Sequence, residues 1–138
     1  MIHEGNKDIG LAHIINDNLK IKIPIIKEQN PLFVKGIISE CTSVITSRFH
    51  GLVSCLSQGI PCLATGWSHK YEMVLKDYNY DEGLVHVDAS DEVITEKMNT
   101  ILDKTSRTLI REKLLEESKK QKLLSQGMWQ QVFKVITQ

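Results

Sequence analysis

Neither sign of charge is in excess in this sequence: 17 Lys and Arg are matched by 17 Asp and Glu across 138 residues, and the formal net charge is zero. No run of Lys or Arg exceeds a pair, so there is no broad positive surface of the kind that nucleic acid or an anionic membrane needs. Only a local basic pocket is compatible with that balance. Long apolar runs are missing too. The longest uncharged stretch, Gly51 to Trp67, is interrupted by Ser54, Ser57, Gln58, Gly59 and Pro61, well short of the ~20 apolar residues that span a bilayer. It reads as a core segment, not an anchor. Met1-Ile2-His3-Glu4-Gly5 lacks the basic and apolar regions of a secretion signal, so a cytoplasmic location is expected. Cys41, Cys55 and Cys62 are odd in number and form no CxxC pair. That excludes a disulfide framework and argues against zinc, leaving three small hydrophobes expected inside the fold. No H-E-x-x-H or DxD pattern is present, and His13 and His86 have no metal-ligand companions, so no metal is expected. G-x-G-x-x-G and GxxxxGK[ST] are absent as well, and Gly66-Trp67-Ser68-His69 is not a nucleophile elbow. No cofactor is expected.

What the chain does have is 41% hydrophobic residues in a length suited to one domain, where about 250 residues would be wanted for two domains or a barrel. A single domain over 1–138 is therefore expected. Asn6 or Asp8 can cap a helix reaching about Lys20, with Leu11, Ala12, Ile14, Ile15 and Leu19 at helical spacing. Ile21 to Ile26 is rich in β-branched residues and reads as a strand, with Pro24 marking an edge. Asn30-Pro31 starts a helix carrying Phe33, Val34, Ile37 and Ile38. Ser43 to Thr46 reads as a buried strand. Ser47 is expected to cap a helix from Arg48 to Gln58, stopped by Gly59. Ile60 to Thr65 is the next strand, Lys70 to Asp77 a helix, Leu84 to Val87 a strand, and Ser90-Asp91-Glu92 the start of a helix through about Leu102. A long helical tail follows from about 105 to 138, with a break expected at Gly127. Strands alternating with helices specify βαβ units. The fold class is thus α/β, a Rossmann-like three-layer domain with a parallel sheet. Four strands are few for that class, and Met1 to Glu4 look like the end of a strand, so a piece of a longer protein is expected.

In an open parallel sheet, ligands bind beyond the carboxyl ends of the strands, where helix N-termini present free N–H groups. The strand Ser43–Thr46 runs straight into Ser47-Arg48-Phe49-His50-Gly51, a hydroxyl, a guanidinium and an imidazole at one helix mouth. The next strand delivers Thr65-Gly66-Trp67-Ser68-His69-Lys70. Adjacent parallel strands would bring Arg48, His50, His69 and Lys70 to one crevice, which suits a small phosphate or carboxylate. The bland reading is that Ser47 caps, Arg48 is solvated and His50 satisfies a buried carbonyl. Lys70 misfits that reading slightly, because a cation in the first turn of a helix opposes the dipole. Trp67 is either a lid or core, and His3 stands at the same edge of the sheet.

At these residues the sequence resembles the polysaccharide pyruvyl transferase family. Val44 to Ala64 is similar to that family's strand, S-R-x-H-G turn, helix and G-[IV]-P strand, and Ser68-His69-Lys70-Tyr71 is similar to its downstream basic loop. The resemblance extends from about Met1 to Asp88. It implies the C-terminal, donor-side half of a GT-B-like two-domain architecture, acting in cell-surface polysaccharide biosynthesis. Such enzymes transfer the pyruvyl unit of phosphoenolpyruvate to a saccharide acceptor as a ketal. The resemblance implies catalytic His50 as the acid, with Arg48, Lys70, Ser47, Gly51 and His69 binding the donor. An imidazole exchanges protons near neutral pH, as protonating the donor's methylene carbon requires. The acceptor half, with a further Arg, has no counterpart, so the chain alone is expected to be inactive. Two alternatives stand beside this reading. One is a GT-B glycosyltransferase using a nucleotide sugar, with Tyr71, Glu72 or Asp88 on the nucleoside; the other is a non-catalytic Rossmann-like binding module. Exposed apolar residues would favour homo-oligomers.

Overall fold

A computed structural model describes residues 6–66 and 68–137; His3 and Trp67 lie outside them, as does the strand expected at Met1 to Glu4. Residues 1–40 and 41–138 form two compact units. The first holds α1 (Asn6–Asn18) and α2 (Pro31–Ser39). Asn30 takes the Leu32 N–H on its side chain and Pro31 supplies a preset first helical residue, as the sequence led one to expect. No strand forms over 21–26. The Lys22 ammonium instead turns back onto the carbonyls of Asn16 and Asp17, both at 2.9 Å, where the negative end of α1 attracts it. The Ile23 N–H is taken by the Asn16 side chain at 2.9 Å. One of the segment's ladder donors is thereby spent locally, and Pro24 has none to offer. Among the described apolar residues of this unit only Val34 is buried; Phe33 and Ile37 are exposed.

The second unit carries β1 (Val44–Thr46), α3 (Phe49–Gln58), β2 (Cys62–Thr65), α4 (His69–Asp77), a 3-10 turn (Asp81–Gly83), β3 (Leu84–Val85), α5 (Asp91–Leu102) and α6 (Lys104–Ile136). The strands form one open parallel sheet in the order β1-β2-β3. Val44 pairs with Cys62 and Thr46 with Ala64, and Ala64 pairs in turn with Leu84. The α/β class and the parallel sheet hold, on three strands where four were expected. The core is Leu52, Cys55 and Leu56 of α3 against Cys62, Leu63 and Ala64 of β2, with Leu75, Tyr80 and Leu114 closing over it. Cys55 and Cys62 are buried free thiols; Cys41 is only half-buried. Burial and the neighbouring Cys55 thiol push Cys62 above the ordinary thiol range. Gly59 ends α3 in the left-handed region at φ 70°, the conformation that favours glycine. The tail is one continuous helix, because a single Gly127 weakens a helix by only ~1 kcal/mol and need not break it. Its N-terminus is capped by the Asp103 carboxylate, which accepts from the Ser106 N–H at 2.8 Å.

Candidate functional site

Because all three strands run the same way, the loops after β1 and β2 emerge at one edge of the sheet. The loop after β1 is set by Thr46, not by Ser47. The Thr46 hydroxyl accepts the Arg48 N–H at 3.1 Å and donates to the Arg48 carbonyl at 3.3 Å. Arg48 takes the N-cap position in extended conformation and no side chain caps α3, while Ser47 is exposed. The cap expected of Ser47 is not made; the adjacent Thr46 hydroxyl shapes the turn before the helix instead. The consequence is an α3 whose first-turn N–H groups keep their donor capacity, with the helix dipole behind them.

Gly51 follows from the same turn. A Cβ on Gly51 would lie 2.6 Å from Thr46 Oγ1, so only glycine lets α3 begin this close to β1. The second loop obeys a similar constraint. A Cβ on Gly66 would meet the Tyr71 ring at 2.6 Å, and that ring is buried beneath it. Tyr71 then ties the two loops together, its hydroxyl donating to the Ser47 carbonyl at 2.9 Å. Its ring stands edge-on to Phe49, centroids 5.7 Å apart.

Of the expected site residues, His50 and Lys70 stand against this aromatic pair and Ser47 meets it through its carbonyl. Arg48 is half-buried at the mouth of α3 and His50, the second residue of the helix, is exposed, its ring 6.1 Å from Phe49 in an edge-on arrangement. The Lys70 ammonium lies over the Phe49 ring, 4.9 Å from the centroid, and 5.7 Å from that of Tyr71. His69 is exposed beside Glu72, with Nδ1 3.1 Å from a carboxylate oxygen. His13 and His86 are elsewhere and exposed. Among the described residues no group of three or more His, Cys, Asp and Glu side chains lies together to hold a metal. This edge of the sheet thus carries the Lys70 ammonium, the His50 imidazole and a helix N-terminus that no side chain caps. Phe49 and Tyr71 are the residues that sequence reasoning did not assign to this site. The signal for them was present in their spacing to Ser47 and Lys70, but it becomes readable only once β1 and β2 are paired.

The family model described as polysaccharide pyruvyl transferase matches residues 1–69, half the chain. The chain belongs to the polysaccharide pyruvyl transferase family. The matched region contains Ser47, Arg48, His50, Gly51 and His69, and Lys70 is the next residue beyond it. No curated protein and no solved structure matches the chain. The family makes this a transferase sequence acting on polysaccharide. Among the described residues, no helix is long and apolar enough to cross a membrane.

Proposed function

We propose that this chain is the donor-binding part of a GT-B-like pyruvyl transferase, which takes phosphoenolpyruvate and builds a pyruvyl ketal on two hydroxyls of a saccharide. The observation that carries the reading is the tie between the two loops. The Tyr71–Ser47 hydrogen bond at 2.9 Å joins the loops after β1 and β2, and the Lys70–Phe49 contact at 4.9 Å brings an ammonium to the first turn of α3. Phosphoenolpyruvate carries two anionic groups on one short carbon frame. Arg48 would hold the phosphate in its planar fork with the α3 N–H groups, and Lys70 would neutralise the carboxylate as a compact charge. Ser47 and the backbone at Gly51 would complete the phosphate cradle, with His69 at its margin.

The reaction asks for one acid. As the methylene carbon gains a proton, the enol carbon becomes electron-poor and is attacked by the first sugar oxygen, whose proton leaves. The carbon–oxygen bond to phosphate then breaks, the second hydroxyl attacks and loses its proton, and inorganic phosphate departs. His50 is the acid in this scheme, exposed at the mouth of α3 where the donor's methylene would face it. Arg48 and the helix N-terminus would stabilise the charge that builds on the departing phosphate.

The glycosyltransferase alternative has less to stand on. Tyr71 is buried with its hydroxyl engaged on the Ser47 carbonyl, so it is not presented to a nucleoside. Calorimetric titration of the chain with phosphoenolpyruvate tests the proposal. Binding by the wild type that is lost in Arg48→Ala is the expected result; equal affinity in the two proteins overturns the site.

A further inference from the structure

Phe49, the residue between Arg48 and His50, is in contact with His50, Tyr71 and Lys70 at this edge of the sheet. His50 meets its edge at 6.1 Å, Tyr71 meets it at 5.7 Å with the rings at 87°, and the Lys70 ammonium sits 4.9 Å from its centroid. Lys70 is exposed and forms no ion pair or hydrogen bond among the described residues, so the ring faces are what hold its charge in place. A lysine has four rotatable bonds, and an ammonium left free would cost a ligand its ordering on binding. From this we propose that Phe49 is a positioning residue that fixes the Lys70 ammonium beside the mouth of α3, creating a second anionic subsite and so selecting ligands with two anionic groups over simple phosphate.

The argument rests on the donor reading above and extends it to specificity. Phosphate alone engages the α3 N-terminus and Arg48, and has no need of Lys70. A phosphate ester that also carries a carboxylate engages both, and gains from having the ammonium held in advance. Tyr71 completes the device by bracing the Phe49 edge while its hydroxyl holds the first loop at Ser47. The His50 ring stands near-perpendicular to the same Phe49 ring, centroids 6.1 Å apart.

The test compares wild type, Phe49→Leu, Phe49→Tyr, Lys70→Met and Arg48→Ala, measuring affinity for phosphoenolpyruvate and for inorganic phosphate by calorimetry, and the Lys70 ε-methylene proton shifts by NMR. Phe49→Leu should weaken phosphoenolpyruvate about two- to fivefold, the scale of an exposed cation–ring contact, while leaving phosphate unchanged. The upfield ring shift of the Lys70 methylene should shrink in that variant, leaving only what Tyr71 contributes, and persist in Phe49→Tyr, which should bind as wild type. Lys70→Met keeps the aliphatic stem and touches no core, so it should give the same selective loss even if Phe49→Leu does not fold. Phosphoenolpyruvate and phosphate weakened equally, or a Lys70 shift indifferent to Phe49, would overturn the inference. If Arg48→Ala and Lys70→Met both bind phosphoenolpyruvate as wild type does, the donor reading itself fails, and this inference with it.

Discussion

Replacing Gly51 with Ala sets two effects of known size against each other. Alanine is favoured over glycine inside a helix by up to ~1 kcal/mol, so on propensity alone the change should stabilise α3. The new methyl, however, would stand 2.6 Å from Thr46 Oγ1, the atom that accepts the Arg48 N–H and donates to the Arg48 carbonyl. Moving that hydroxyl aside costs a turn worth about 1 kcal/mol, and the crowding adds roughly 1–2 kcal/mol. Crowding should win, leaving Gly51→Ala less stable by about 1–2 kcal/mol. Thr46→Ala removes the obstructing oxygen and should cost about 1 kcal/mol by itself. The double variant has no clash and keeps the helix gain, so it should return close to wild type instead of summing the two losses. Urea denaturation followed by far-UV circular dichroism measures all four proteins, and a coupling of about 2–3 kcal/mol is expected from the cycle. A Gly51→Ala protein as stable as wild type, or losses that simply add, would refute the claim that glycine is there for the approach of α3 to β1.

Gly59→Ala should destabilise by at least ~1 kcal/mol in the same assay, because φ 70° strains an L-residue and the new Cβ would lie 2.5 Å from the Leu115 side chain; an unchanged urea midpoint would contradict this. Tyr71→Phe should lose about 1 kcal/mol with the Ser47 bond, and amide shifts should be confined to the two loops; shifts spread through α5 and α6 would show a different role. On acidification, Lys120 beside Glu117 and the Ser106 N–H beside Asp103 hold these carboxyls below their usual values of 4.5 and 3.8. Their contribution to stability is therefore present above those values and is lost as pH falls through the lower folded ones, so the urea midpoint should drop below about pH 4.5. Asp103→Asn should flatten part of that drop, and an identical profile would contradict the cap's part in it. At the other end, burial pushes the Tyr80 hydroxyl up, so its share of stability is lost as pH rises beyond the ordinary value of 10.0. Tyr80→Phe should reduce that alkaline loss; an unaltered alkaline limb would count against it.

Where the pattern in the sequence and the local chemistry agreed, structure was legible in advance. Asn30-Pro31, Ser90 and Gly59 mark helix ends through backbone demands that depend on nearest neighbours, and all three stand where they were expected. The segment Ile21 to Ile26 has the composition of a strand, but composition does not supply a partner strand. Asn16 and Lys22 offered the backbone closer bonds. The same limit applies at the site. Arg48, His50 and Lys70 could be picked out because each follows a strand by a few residues. Whether Thr46 or Ser47 bonds the turn before α3 is a matter of backbone angles, and the parts of Phe49 and Tyr71 depend on a pairing between loops 24 residues apart.

The central claim is that the loops after β1 and β2 form one site for a doubly anionic donor. An amide NMR titration of the chain with phosphoenolpyruvate, run beside inorganic phosphate and a nucleotide diphosphate sugar, tests it most directly. The account predicts shifts concentrated at Ser47 to Gly51 and at His69 and Lys70, larger for phosphoenolpyruvate than for phosphate. Shifts at those residues with the nucleotide sugar alone, or no response there to phosphoenolpyruvate, would contradict it.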